Sequence, residues 1–273
     1  MGLVLVLLAI SFMGLKLKLD RIQRKKVPGS SIIYIPSGKY LKLATFGYSS
    51  LVADIIYIWA IQYYSDQTIP NKFDYFVHIF SIISELDPKY VDPYEVGALI
   101  AFYDAKDIAL ALKILDLGFA KNPSYWIFPL EAGHYAQLYK KDFALAKEYF
   151  KKAMDIPGAP AIAKRLYANA SFRVNDVRTA WETWLEVYKT APDEQIRKIA
   201  SNHLYRVKAA VDITTLEYGV AKFREKYGRN PLDLSQLIRA KILPLIPKDF
   251  DGKDYLYDPK VGDIKTQVVP WKR

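Results

Sequence analysis

The residues best suited to chemistry in this 273-residue chain are three histidines that lie far apart in the sequence. A metal site needs ligands at short, regular spacings. Neither a second histidine nor a suitably spaced carboxylate accompanies His78, His134 or His203. We interpret all three as packing or surface residues, and we predict no metal site and no cofactor.

A group of aspartates near the C-terminus offers a second possible chemistry. Because calcium is held by carboxylate and carbonyl oxygens, the segment that contains these residues is a candidate calcium loop. The aspartates are Asp249, Asp251, Asp254 and Asp258. Their spacing does not match an ordered set of calcium ligands, so we favour the interpretation that they are solvated turn residues.

The motifs of common enzyme classes are missing from the sequence. The chain has no cysteine, which excludes disulfides, thiolate metal sites and a cysteine nucleophile. It also lacks a glycine-rich phosphate loop, a G-x-S-x-G turn and a paired-carboxylate motif. We predict that the protein is not an enzyme and has no small-molecule substrate. An envelope enzyme with an unrecognised catalytic arrangement is the alternative.

One carboxylate lies in a strongly apolar part of the sequence. Residues 39–66 read as a helix pair broken near Gly47, and Asp54 lies in the second helix, which is apolar on almost every face. An unpaired buried carboxylate is costly or has a raised pKa. We therefore expect Asp54 to be buried with a hydrogen-bonding or ionic partner, and a ligand contact is the alternative.

The elements that would position these residues follow a repeat. Four prolines, Pro88, Pro123, Pro157 and Pro192, lie 35, 34 and 35 residues apart, and each closes an apolar segment of helical pattern. Small, bulky and again small or apolar residues recur in step with them. These recurring positions are Phe80, Ile83, Ala111, Leu115, Gly118, Ala146, Phe150, Ala153, Ala180, Trp184 and Val187.

A period of about 34 residues with this order of small, bulky, small and proline positions resembles the tetratricopeptide repeat (TPR) family. The best match is KDFALAKEYFKKA at residues 141–153, and the resemblance covers roughly residues 39–210. The first helix of each pair matches less well. The resemblance implies an all-α, TPR-like α-solenoid of antiparallel helix pairs with a surface that binds peptides.

The N-terminus predicts attachment to a membrane. Residues 1–19 are largely apolar and are predicted to be a short membrane helix or an uncleaved signal, followed by a basic linker at 20–38. We expect the bacterial inner membrane, with the soluble domain in the periplasm. The cytoplasmic side is the alternative, because the positive-inside rule places the basic linker there.

The C-terminal residues change character after the repeat domain, which is assigned to residues 39–227. Residues 228–273 predict a helix that starts at Asn230-Pro231 and then a hairpin around Tyr257 and Ile264. This helix, proline loop and hairpin form a small α+β module. It resembles the C-terminal part of type II secretion major pseudopilins over about 45 residues, but the long pilin helix is missing, so we expect no polymerisation.

These patterns together predict a function in binding. The formal net charge is +10, which favours acidic partners, but no nucleic-acid motif accompanies it and we expect no nucleic-acid binding. We predict a non-enzymatic, membrane-anchored adaptor that helps to assemble an envelope complex such as a pilus or secretion system. The alternative is a permanent structural subunit of a large membrane complex. The candidate residues for contact with an extended or acidic peptide are Tyr103, Tyr135, Tyr139 and Lys140.

Overall fold

The computed structural model describes residues 10–18, 35–66 and 68–269, and this part of the chain is mostly α-helical. Its contacts divide the chain into two compact units, Met1–Pro93 and Tyr94–Arg273. The domain boundaries that the sequence suggests at residues 19, 38 and 227 stay predictions.

Much of the predicted membrane segment lies outside the described residues, namely residues 1–9 and 19, and so do residues 20–34 of the linker. Residues 10–18 form a helical stretch with exposed side chains. Within the described ranges, no helix combines the length and the apolar character that crossing a membrane requires.

In its described residues between 35 and 91, the first unit contains three α-helices: α1 (Gly38–Ala44), α2 (Ser49–Ser65) and α3 (Phe76–Leu86). A short 3-10 helix, Lys72–Tyr75, precedes α3, and both α1 and α2 pack against α3. The rings of Tyr64 and Phe76, 4.9 Å apart, lie at the centre of this packing. The buried Lys72 ammonium donates to the Tyr64 carbonyl at 2.6 Å.

The expectation that Asp54 is buried is wrong. Helix α2 buries the face that carries Ala53, Ile56, Tyr57 and Ala60, whereas Asp54 projects from the exposed face. There it hydrogen-bonds with Tyr90, and burial together with this nearby carboxylate raises the pKa of the Tyr90 hydroxyl. The apolar residues that surround Asp54 in sequence were a poor guide because several of them are exposed as well.

The second unit contains a series of seven helices, the first of which begins two residues before the unit boundary. They are α4 (Asp92–Tyr103), α5 (Ile108–Lys121), α6 (Ile127–Tyr135), α7 (Phe143–Met154), α8 (Ala161–Arg173), α9 (Val177–Lys189) and α10 (Glu194–Tyr227). A π-helical turn, Ala136–Lys140, extends α6. From α5 to α10 each helix packs against the next, so the predicted stacking of consecutive helices is confirmed.

The recurring sequence positions lie where these helices meet. The residues Ala111, Leu115, Gly118, Ala146, Phe150, Ala153, Ala180, Trp184 and Val187 are all buried. A Cβ atom on Gly118 would lie 2.9 Å from the Phe128 ring, so glycine is needed for that close approach. Pro123, Pro157 and Pro192 are exposed and follow shortly after the ends of α5, α7 and α9.

The turn inside each helix pair is also repeated. Asp107, Asp142 and Asp176 each accept a hydrogen bond from the backbone N–H three residues later, which caps α5, α7 and α9. The preceding residue has a left-handed backbone in every case, with φ of +56° at Lys106, +56° at Lys141 and +61° at Asn175. One turn geometry thus connects the two helices of all three pairs.

The C-terminal residues pack on the second half of α10, which ends at Gly228 with φ of +70°. They form α11 (Ser235–Arg239) and an antiparallel hairpin of β1 (Leu256–Asp258) and β2 (Asp263–Lys265), in which Tyr257 faces Ile264. Their shared core contains Leu216, Val220, Phe223, Leu237, Tyr255 and Ile264. The predicted hairpin is confirmed.

Two details of the C-terminal prediction are wrong. The helix begins at Ser235 rather than at Asn230, because the loop before it is held by the hairpin: Tyr257 donates to the Pro231 carbonyl at 2.9 Å. Asp249 is buried rather than solvated. Its carboxylate accepts hydrogen bonds from the Tyr205 hydroxyl at 3.0 Å and from the backbone N–H of Lys253 at 2.8 Å.

Candidate functional site

Three of the four residues selected from the sequence meet around a fourth aromatic ring, that of Phe102. The Phe102 ring centroid lies 4.5 Å from that of Tyr103, 4.8 Å from that of Tyr135 and 4.2 Å from that of Tyr139. We name Phe102, Tyr103, Tyr135 and Tyr139 the Phe102 cluster. Two helices contribute to it, α4 through its C-terminal residues and α6 with its π-helical extension.

The local backbone explains why these rings converge. Tyr135 and Tyr139 are four residues apart, which places their side chains on the same side of a helical turn. The π-helical turn after Tyr135 ends at Lys141, which has a left-handed backbone. Such turns are rare and often occur at functional sites. The turn therefore extends α6 far enough to bring Tyr139 against Phe102.

The cluster has a buried base and an exposed edge. The Tyr135 side chain is 9% exposed, whereas Tyr103 is 60% and Tyr139 is 46% exposed. Tyr103 and Tyr139 also interact directly, because a hydrogen bond with Tyr103 raises the pKa of the Tyr139 hydroxyl. Leu99 and Leu138, on the same two helical segments, are exposed as well. Large aromatic rings held against one another but open to solvent are suited to contact with another molecule.

Two carboxylates, those of Glu131 and Glu95, lie near Tyr135 on the same two helices. Glu131 is one turn before Tyr135 on α6, and burial together with the charge of Glu95 on α4 raises the pKa of Glu131 to about 7. Burial and the nearby Glu131 in turn raise the pKa of Tyr135 to about 12. Two acids that share a partly desolvated place repel each other when both are ionised. A cation brought between them would favour their ionised forms.

Lys140 does not add a free positive charge to the site. Its ammonium lies 3.7 Å from the Asp142 carboxylate, and it makes no cation–π contact with the described aromatic residues. The acids nearest the Phe102 cluster are Glu95 and Glu131, and Glu131 is only partly ionised near pH 7 because its pKa is about 7. This differs from the basic surface that the net charge of the whole chain suggests.

Sequence reasoning missed Phe102, Glu95 and Glu131. Glu131 precedes Tyr135 by four residues and so had a signal in the helical spacing, whereas Phe102 had none, because adjacent residues such as Phe102 and Tyr103 do not share a helix face. The proximity of Glu95 and Glu131 had none, because it depends on how α4 and α6 pack. The sequence shows which residues share a face of one helix, whereas it does not show which faces of two helices pack together.

None of the three histidines belongs to the Phe102 cluster. The His78 ring Nε2 is 3.0 Å from the Ile35 carbonyl in the first unit. His134 meets the edge of the Phe150 ring at 5.5 Å, and His203 stacks on Trp184 at 3.8 Å. Over residues 10–18, 35–66 and 68–269, no group of three or more metal-ligating side chains is close enough to hold an ion.

Comparison with known proteins gives no assignment: no protein-family model matches the chain, and no curated protein is significantly similar to it.

Proposed function

We propose that this protein is a non-enzymatic, membrane-anchored adaptor that binds a segment of another protein through the Phe102 cluster. The observation that carries the proposal is the exposure of Tyr103 and Tyr139 on a packed aromatic base. Tyrosine gives a large contact area at a low cost in conformational entropy and is enriched in interfaces. The stacked helix pairs, which we propose to be TPR-like, would hold these rings in place.

The charged side chains near the Phe102 cluster favour one kind of partner segment. Glu131 and Glu95 lie close together beside the cluster, and Lys140 is paired with Asp142. A basic side chain next to an apolar or aromatic one would meet the acids and the exposed tyrosine rings together. We therefore favour a basic segment over the acidic peptide that the net charge of the chain suggests.

Membrane attachment is part of the proposal and rests on two observations. The apolar residues 1–19 are followed by the basic segment at 20–38. In the first unit, α1, α2 and the turn between them expose Leu43, Phe46, Leu51, Ile55 and Ile58. Lys39 and Lys42 lie beside the first of these residues, and apolar groups flanked by lysines suit the surface of an anionic bilayer. An adaptor held there on the periplasmic face could help to assemble an envelope complex such as a pilus or secretion system.

The test compares the partners of three forms of the tagged, full-length protein after crosslinking in cells and extraction in mild detergent. The forms are the natural chain, a Tyr103→Ser/Tyr139→Ser double variant and a Tyr218→Ser control, in which Tyr218 is 61% exposed on α10. We expect a partner at fixed ratio with the natural chain and the control, and about tenfold less with the double variant. Equal recovery from all three forms would reject the site.

The identity and location of the recovered proteins test the rest of the proposal. Enrichment of pilus or secretion subunits would support a role in envelope assembly. Recovery of the chain alone, or with cytoplasmic proteins only, would contradict it. The full chain should sediment with membranes after an alkaline carbonate wash, and its release into the supernatant would contradict membrane anchoring.

A further inference from the structure

A second site is formed where four helices of the second unit begin or end. A cavity of about 300 Å³ lies between the C-terminal ends of α7 and α9 and the N-terminal ends of α8 and α10. Its walls are mostly apolar and include Met154, Pro160, Val187, Pro192 and Ile196. Val187 and Pro192 belong to the recurring positions of the sequence, so the repeat itself shapes part of the cavity.

Two cationic side chains line this cavity, and they differ in their pairing. The Lys164 ammonium lies 2.6 Å from the Glu186 carboxylate, which balances its charge. Arg165 has no ion pair with a described residue, and its Nε–H is buried without a hydrogen-bond acceptor among them. An arginine so placed loses hydration without compensation. The cavity therefore contains one positive charge that the described residues leave unbalanced.

We propose that this cavity, named here the Arg165 pocket, binds a small organic monocarboxylate with an apolar body. A guanidinium pairs with a carboxylate through two parallel hydrogen bonds, which would balance the unpaired charge of Arg165. The apolar walls would contact the rest of the ligand. A phosphate ester carries close to two negative charges near pH 7, which one free arginine balances less well.

The volume sets the size of the ligand. A water molecule, which has one non-hydrogen atom, occupies about 30 Å³ in the liquid. At that volume for each non-hydrogen atom, the pocket holds on the order of ten such atoms. Aliphatic acids of about six carbons and simple aromatic acids fall in this range. The Arg165 pocket shares no residue with the Phe102 cluster, and it would be a small-molecule site where the sequence predicts none.

The test is equilibrium dialysis of radiolabelled hexanoate against the full-length protein in dodecyl maltoside, with protein-free micelles as the blank. Unlabelled hexanoate should displace the label, whereas hexanol and hexylamine, which have the same apolar chain but no carboxylate, should not. Displacement by hexanol as effective as that by hexanoate would overturn the proposal, because the arginine would then contribute nothing.

Three variants locate the binding. We expect Arg165→Gln to weaken hexanoate binding by about tenfold, since it removes the charge and the paired hydrogen bonds. Arg173→Gln, on the same helix but outside the cavity, should bind as the natural chain does. Ala161→Trp introduces a bulky ring at an exposed position of the cavity wall and should block binding without disturbing the fold.

If Arg165→Gln fails to fold, Ala161→Trp still tests the proposal. Circular dichroism and the unfolding midpoint establish that each variant is folded before its binding is interpreted. Undiminished hexanoate binding by folded Arg165→Gln or Ala161→Trp would place the ligand elsewhere and overturn the proposal. Absence of saturable hexanoate and benzoate binding by the natural chain would overturn it as well.

Discussion

Two groups of aromatic side chains in the second unit lie in opposite environments. Trp184 is 2% exposed and stacks on His203, with ring centroids 3.8 Å apart. It packs in what we name the Trp184 cluster, which also contains Ala168, Ala180, Val187, Ala200, Leu204 and Val207. The Phe102 cluster instead leaves Tyr103 and Tyr139 about half exposed. Stacked helices thus use aromatic rings for stability in one place and present them to solvent in another.

The difference follows from the residues that surround each ring. Ala168, Ala180 and Ala200 are small, so the helices close tightly around the large Trp184 side chain. At the Phe102 cluster, the space between α4 and α6 is too small to bury all four bulky rings. Phe102 and Tyr135 fill it, and the remaining rings lie outside. This contrast implies that mutations at the Trp184 cluster affect stability, whereas mutations at the edge of the Phe102 cluster affect binding.

The largest effect is expected at the Trp184 cluster. Trp184→Ala leaves a cavity among rigid helices and should lower the free energy of unfolding by about 3–5 kcal/mol. Urea unfolding followed by circular dichroism measures this loss, with Tyr218→Ala as an exposed control. A loss below about 1 kcal/mol would show that the cluster is not the stabilising core we take it to be.

The side of α6 that packs against Phe150 should be almost as sensitive to substitution as the Trp184 cluster, although α6 also carries part of the exposed Phe102 cluster. A Cβ atom on Gly133 would lie 2.4 Å from the Phe150 ring, so Gly133→Ala should cost about 1–3 kcal/mol despite the better helix propensity of alanine. Gly219→Ala on α10 is the matched control, because its nearest neighbours are flexible leucine side chains at 3.0 Å and beyond. Equal effects in the two variants would contradict tight packing at Gly133.

His203 should make the Trp184 cluster sensitive to acid. Burial, with a smaller contribution from Arg206, lowers the pKa of His203 to about 4, whereas the unfolded chain binds this proton near pH 6.5. Stability that is complete above about pH 6.5 should therefore fall, by roughly 2 kcal/mol, as the pH drops towards 4. His203→Phe should flatten this part of the pH profile. An unchanged profile would mean that other groups cause the acid sensitivity.

Glu131 should give the Phe102 cluster the opposite pH dependence. Its pKa is about 7 in the folded protein and near 4.5 when unfolded, so folding becomes less favourable as the pH rises through this window. Glu131→Gln should raise stability at pH 8 by about 1 kcal/mol and, in the same experiment series, weaken binding of a basic partner segment. Stronger binding by this variant would reject a basic partner.

The smallest effect on stability is expected where the effect on binding is largest. Tyr103→Ser/Tyr139→Ser removes two rings that are about half exposed and should change the free energy of unfolding by less than about 1 kcal/mol, because their contacts with Phe102 lie at the solvent-facing edge of the cluster. Thermal unfolding measures this change. A loss as large as that in Trp184→Ala would make the Phe102 cluster a structural core, and the contrast between the two clusters would fail.

Much of the helical architecture could be predicted from the sequence because the repeat marks it several times. Ala146, Phe150 and Ala153 reveal a buried helix face, and the prolines mark the helix ends. The sequence contains a further signal of these helices, because Asp107, Asp142 and Asp176 recur at the same period and cap three of them. The prediction failed at Asp54, because an apolar sequence does not by itself tell which helix face is covered.

The candidate site was predictable only in part, for a related reason. Tyr135 and Tyr139 share a helix face, so their proximity follows from spacing alone. Their contact with Phe102, the closeness of Glu95 to Glu131 and the unpaired state of Arg165 depend on packing between helices. A single sequence contains no direct signal for such contacts. Charge was a poor guide as well, since a chain with net charge +10 has two acidic residues beside its candidate site.

The most direct test of the account is photocrosslinking in cells with p-benzoylphenylalanine placed at position 103 or at position 218 of the full-length chain. Both positions carry exposed tyrosines in the second unit, but only Tyr103 belongs to the Phe102 cluster. We predict a crosslinked product of one defined mass from position 103 and none from position 218. The same products from both positions, or none from position 103, would contradict the claim that the Phe102 cluster binds a partner.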